Sequence, residues 1–379
     1  MKVILIGLLS LLVLAVQPVT AKQYTVLVPV FVVSDRKPVY SFHDMLSAED
    51  QVFNKQSIVF RTCGIPIRID VHADQETDLL AKYTTAEDAK YFLPSLDQLQ
   101  EELEFQKPTE AEYGGPSVFD DFGFQKALSK YLMSSAGATN SELCVFVHGC
   151  CISQVDSLRQ AAILSLMLSK PIVAFDWTTK STKEYASLPE FNVYRKSERA
   201  MEISQTYFNQ FLESIHRNFP LADCTLIGHS MGNRMITGYL LEHQSSDERR
   251  RIQTVHLSRP DQSITAFVAQ EDRICKGVGK VFLYYSDNDK WLRRSSVLSS
   301  TSPRLGLPEQ LENLLKTGSS RNFYPIDVSY LKLNHGIPFS VISRASKNPV
   351  AFQNKTLSAD EWMRLLEDCR VSEIVPIMK

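Results

Sequence analysis

From residue 143 onward, short apolar runs alternate with segments of helical spacing, and this alternation restricts the chain more than any other feature. The runs are Leu143–Val147, Ile172–Trp177, Thr225–Gly228, Thr254–Ser258 and Lys280–Tyr285. Between them Leu158, Ala162 and Leu166 share one helical face, and Ala200, Ile203, Tyr207, Phe211 and Ile215 share another. Buried strands alternating with amphipathic helices imply an α/β fold, a mostly parallel sheet covered by helices on both faces.

Upstream the pattern differs. Thr25 to Val33 is an apolar run ending at Ser34-Asp35-Arg36 and reads as a buried strand. Ile65, Ile67, Ile69 and Val71 alternate with polar residues and Pro66. Period-two alternation predicts a half-buried strand, and the proline places it towards a sheet edge. Asp74 to about Ser141 is polar with helical spacing, broken at Gly114-Gly115-Pro116, and a last helix begins at Ser358 with a capping-box glutamate at Glu361. The expected organisation is an N-terminal portion, residues 22–142, packed against a catalytic core at 143–379.

Residues 1–21 carry a different signal. A basic start at Lys2 precedes the uncharged apolar stretch Val3–Val16, then Gln17-Pro18 and the small residues Val19-Thr20-Ala21. That is the pattern of a secretory signal peptide, so the mature chain is expected outside the cytoplasm. The stretch is shorter than the roughly 20 residues that span a bilayer, and no later segment reaches that length, so no membrane span is expected after cleavage.

Composition narrows the function without choosing it. Forty-one basic residues against 43 acidic ones give a formal charge of −2, with no basic excess to bind nucleic acid. The seven cysteines include no Cys-x-x-Cys spacing, so neither a zinc site nor a redox pair is expected.

The chemistry centres on Gly228-His229-Ser230-Met231-Gly232, a Gly-x-Ser-x-Gly sequence preceded by an apolar strand and followed by a helical run. The pentapeptide alone fits any glycine-rich turn. Between strand and helix it predicts a sharp turn that lifts the serine hydroxyl clear of an α/β-hydrolase sheet, with glycines where side chains would clash. A serine needs a base to become nucleophilic, here a histidine oriented by a carboxylate further along the chain. Of the three histidines downstream, His243 ends a helix and His256 lies within a strand, whereas His335 follows the run Tyr324–Leu333 in a loop before Gly336. For the acid, Asp289 and Asp287 follow the strand Val281–Ser286, and Asp261 follows the preceding one; Asp289 is favoured, with Asp287 assigned to fixing the turn. The turn at Gly149 brings the backbone N–H of Cys150 or Cys151 towards the site beside that of Met231, to form an oxyanion hole. His148 and His229 flank these turns and are read as hydrogen-bonding supports.

These residues sit in a wider pattern. It comprises Val28-Pro29-Val30-Phe31 with Ser34–Pro38, Phe146-Val147-His148-Gly149, Phe175-Asp176-Trp177 and His229–Arg234, then Arg259-Pro260-Asp261, Tyr284–Asp289 and Asn334-His335-Gly336. In these the chain resembles the DUF900 group of bacterial α/β-hydrolases over nearly all of its mature length. The resemblance implies Ser230, Asp289 and His335 as catalytic residues and residues 22–142 as the family's own N-terminal portion. Two departures bear on the acyl pocket. Cys150-Cys151 stands where the family tends to carry an aromatic and an asparagine, and Lys290-Trp291-Leu292 follows the acid in place of a small residue and a leucine.

The function expected is a serine hydrolase acting on a small ester-like molecule through an acyl-enzyme, with no metal and no cofactor. The rivals are a catalytically silent binding protein of the same fold, and a peptidase or thioesterase.

Overall fold

The computed structural model describes residues 22–36, 59–71, 124, 128–129, 142–168, 170, 172–179, 190–220, 222–243, 252–298, 303–308, 311 and 320–347. The expected signal peptide, the expected break at Gly114–Pro116 and the expected helix from Ser358 lie outside these residues, as does most of the polar stretch from Asp74.

Eight strands form one sheet: β1 (Lys22–Ser34), β2 (Val59–Val71), β3 (Glu142–Val147), β4 (Ile172–Asp176), β5 (Asp223–His229), β6 (Ile252–Ser258), β7 (Lys280–Tyr285) and β8 (Phe323–Asp327). Their order across the sheet is β2-β1-β4-β3-β5-β6-β7-β8. β2 runs antiparallel to β1, and every other neighbouring pair is parallel. β2 is an edge strand and carries Pro66, a residue with no N–H to give a further neighbour. β1 pairs in parallel with β4 from Phe31 to Ser34, so the N-terminal portion extends the core sheet itself.

Side chains on successive strand residues point to opposite faces, and the core divides accordingly. Leu143, Val145 and Val147 face one layer with Phe175, Leu226 and Val255. It is closed by α2 (Glu190–Asn218) and α3 (Gly232–Glu242) through Phe208, Phe211, Met235 and Tyr239. Cys144 and Phe146 face the other layer, against α1 (Gln154–Leu168) and a late helix, Phe339–Lys347, through Leu158, Ala162, Val341 and Ile342.

One expected face is displaced. Ile203 is 50% exposed, and the buried stripe of α2 runs through Ala200, Ser204, Phe208, Phe211 and Ile215. Ser204 takes the inward position because the stripe steps by four residues twice in succession before its step of three.

Because seven strands are parallel, their C-terminal ends all meet one edge of the sheet. Arg36, His148, Asp176, Ser230, Arg259 and Asp289 sit at or just beyond those ends. Loops at this edge of a parallel sheet are where such folds place ligands.

Candidate functional site

Ser230 occupies the turn between β5 and α3 with φ of 52°, a left-handed conformation strained in any residue with a side chain. The strain holds because the turn is tied from several directions. Ser230 N–H donates to the Ser258 carbonyl at 3.0 Å, and the Ser230 carbonyl accepts from Asp261 N–H at 3.1 Å. Asn233 Nδ2, fully buried, reaches both carbonyls, Ser230 at 3.0 Å and Ser258 at 2.9 Å. A Cβ at Gly232 would lie 2.6 Å from the Val147 carbonyl oxygen and closer still to that of His148. Glycine there lets β3 and α3 touch backbone to backbone.

Ser230 Oγ lies 2.8 Å from His335 Nε2, and His335 Nδ1 lies 2.7 Å from Asp289 Oδ2. Ser230 and Asp289 are buried, while the His335 side chain is 19% exposed, so the imidazole forms the open side of the group. The histidine loop is fastened at both flanks. His229 Nε2 donates to the His335 carbonyl at 2.9 Å, and Lys290 N–H donates to Asn334 Oδ1 at 3.0 Å. Burial, and then the neighbouring His335, hold the His229 imidazole well below its ordinary range, so this ring is neutral.

The other two aspartates are elsewhere. Asp261 Oδ1 accepts from Arg304 Nε at 2.9 Å and from Ser295 Oγ at 2.8 Å, which commits its carboxylate away from the histidine. Asp287 is exposed, and its carboxylate does not fix the turn as expected. Ser286 Oγ donates to Asn288 Oδ1 at 2.8 Å, and Asn288 Nδ2 to the Ser329 carbonyl at 2.7 Å, so the neighbouring serine and asparagine do that work.

Met231 N–H directly follows the serine in the chain, and Cys150 N–H follows Gly149, which packs on Ser230. Neither Met231 N–H nor Cys150 N–H donates to another described residue. Cys151 N–H donates to Thr179 Oγ1 at 3.0 Å, which removes it from the pair considered for the site and leaves Cys150. Its aim has a physical cause. His148 Nδ1–H donates to the Gly149 carbonyl at 2.7 Å. In a planar trans peptide C=O and N–H point opposite ways, so holding that carbonyl turns Cys150 N–H away from His148. Gly149 itself is pressed against Ser230, since a Cβ there would lie 2.8 Å from Ser230 Cβ.

His148 is anchored in turn. It stacks on Trp177 with centroids 5.3 Å apart, and its Nε2 lies 3.2 Å from Asp176 Oδ1. Arg36 Nε lies 3.0 Å from Asp176 Oδ2, which also accepts from Gln154 Nε2 at 2.5 Å. Burial alone would raise the Asp176 carboxyl, but Arg36 and the hydrogen bonds hold it below the usual carboxylate range. Burial lowers His148 from its ordinary value despite Asp176.

Arg259, Asn233 and Thr179 carry no individual role in the sequence reading, although the first two lie within the pattern shared with the family. Arg259 is wholly buried with φ of 45°, and its guanidinium lies 3.6 Å from Asp289 Oδ2 with no hydrogen-bond acceptor among the described residues. That places a buried positive charge beside the aspartate. A basic residue two positions before Asp261 at a strand end was the available signal. No group of three or more His, Cys, Asp or Glu among the described residues is placed to hold a metal ion, and no described helix is long and apolar enough to cross a membrane.

A parallel sheet with a serine on a strand-to-helix turn, and a histidine and an aspartate on later strand-end loops, has the architecture of an α/β hydrolase. Residues 121–346 match the family described as "Alpha/beta hydrolase of unknown function (DUF900)", and the chain belongs to that family. Among solved structures it is similar to dienelactone hydrolase from Anabaena variabilis at 12% identity and TM-score 0.35, covering 57% of this chain and 88% of that one. A predicted CIB-like hydrolase from Thermoplasma acidophilum matches at 11% identity and TM-score 0.31, covering 56% and 87% respectively. No curated protein matches the chain.

Proposed function

We propose that the protein hydrolyses a carboxylic ester of a small molecule through an acyl-enzyme on Ser230. His335 Nε2 takes the proton from Ser230 Oγ as the oxygen attacks the ester carbonyl. Asp289 keeps the imidazole in the tautomer that can accept at Nε2 and stabilises the imidazolium that forms. The N–H groups of Met231 and Cys150 stabilise the oxyanion, and His335 then passes its proton to the departing alcohol. Water repeats the relay to free the acid.

The observation that carries this reading is the continuous line from Ser230 Oγ through His335 to Asp289, at 2.8 and 2.7 Å, on a strained turn at the ligand-binding edge. The test is hydrolysis of short-chain p-nitrophenyl esters by the wild type and Ser230→Ala. Turnover by the wild type alone supports the reading; equal turnover by both contradicts it. Residues 1–21 are proposed to be removed on export. Exported protein should then begin at or near Lys22, and active cytoplasmic protein retaining Met1 would contradict this.

A further inference from the structure

Cys150 and Cys151 are adjacent in sequence, and their sulfurs face each other at 2.8 Å. That is inside ordinary contact between two thiols. Neither cysteine is wholly buried, unlike Cys144, Cys224 and Cys275 in the core. The peptide between them is already held out of the common conformations, with Cys151 at φ of 64°.

We propose that Cys150 and Cys151 are a redox modification site, a vicinal dithiol that a disulfide-bearing oxidant closes to a disulfide, switching off acylation of Ser230. The control rests on the function proposed above.

The polarity of the pair sets the order of events. The Cys151 thiol is held below its ordinary value, first by the hydrogen bond from Cys150, whereas the same bond and burial push Cys150 well up. Cys151 therefore attacks. Its thiolate displaces one sulfur of an external disulfide, which leaves as a thiolate with the electron pair and takes up a proton. Cys150 then loses its proton to solvent and attacks Cys151 Sγ, expelling the second thiolate. Two protein thiols are oxidised and one disulfide is reduced to two thiols.

Adjacent Cα atoms are about 3.8 Å apart, below the roughly 4.4–6.8 Å that unstrained disulfides span. A bridge formed under such strain is readily reduced, the property of labile and regulatory disulfides. Its closure pulls on the peptide that carries the site's geometry: Cys150 supplies the oxyanion N–H, and Cys151 N–H is tied to Thr179. Displacing one oxyanion donor costs on the order of 10²-fold or more in rate.

The test treats wild type and Cys151→Ser with oxidised glutathione, then dithiothreitol. Fragment mass reports the bridge, and the rate of fluorophosphonate labelling reports Ser230. A wild type that loses two hydrogens at Cys150–Cys151 and labels ~10²-fold more slowly until reduced supports the proposal, provided Cys151→Ser is insensitive. A labelled protein whose pair never bridges, or bridges without slowing labelling, overturns it. Absence of labelling in either redox state would instead overturn the Ser230 reading and the control together, while the bridge itself would still stand or fall on mass.

Discussion

Among the described residues two histidine–aspartate pairs lie at the same edge of one sheet, and only one of them faces a serine hydroxyl. His148 and Asp176 approach to 3.2 Å, and His335 and Asp289 to 2.7 Å. The difference is what occupies the remaining ring nitrogen. On His335 it is the hydroxyl of Ser230, and the ring is partly open to solvent. On His148 it is the Gly149 carbonyl, the ring is wholly buried under Trp177, and Arg36 neutralises the carboxylate. One pair moves a proton in the proposed reaction; the other holds a peptide still. Residue types alone do not separate them, and the third partner does.

Substitutions should separate the two regions sharply. Ser230→Ala should remove ester hydrolysis by on the order of 10⁶-fold in kcat with the fold kept, as measured for another serine hydrolase. Circular dichroism beside the assay checks both halves of that statement. Asp289→Asn should cost roughly 10⁴-fold in kcat, since the imidazole then takes the wrong tautomer. An active Asp289→Asn enzyme would place this pair in the same structural class as His148–Asp176.

The opposite outcome is expected on the other side. Arg36→Met leaves Asp176 buried without its cation, which should destabilise the fold by about 3–5 kcal/mol in urea unfolding. An unchanged midpoint would mean that the His148 region is not held by its charges.

Asp35 gives that region a pH dependence. Its carboxyl accepts from Thr178 N–H at 2.8 Å, and burial raises its pKa from 3.8 to about 6. The native state therefore binds the proton more tightly than the unfolded chain, and stability falls as pH rises from about 4 to about 6. Above that window the ionised group costs about 3 kcal/mol, from about two pKa units at 1.36 kcal/mol each. Asp35→Asn keeps the acceptor and removes the charge. It should be more stable than wild type near pH 7, with the gap closing near pH 4, and an equal gap at both pH values would show that Asp35 does not titrate there. The smallest effect belongs to Asp287→Asn, within about 0.5 kcal/mol and with activity kept, because the side chain is exposed.

What could be read from sequence was local. The strand-to-helix turn at Ser230 announces itself within five residues, because its glycines are demanded by neighbours a few bonds away. The parallel sheet was legible for the same reason, as runs such as Lys280–Tyr285 need no partner to be recognised. What was not legible depends on chain segments far apart. Thr179 claims the N–H of Cys151 across 28 residues, and Arg36 meets Asp176 from the far end of the chain. The Asp287 expectation failed because Ser329, on another strand's loop, supplies the partners of that turn. Ile203 has the helical spacing of an inward residue, three after Ala200, yet the helix turns Ser204 to that position.

The most direct measurement is intact mass after exposure to a fluorophosphonate, with peptide mapping of the adduct. The expected result is one adduct per molecule, on Ser230, lost in Ser230→Ala and slowed severely in Asp289→Asn. Reduced, folded protein that takes no adduct, or an adduct on another residue, would contradict the assignment of Ser230 as the nucleophile.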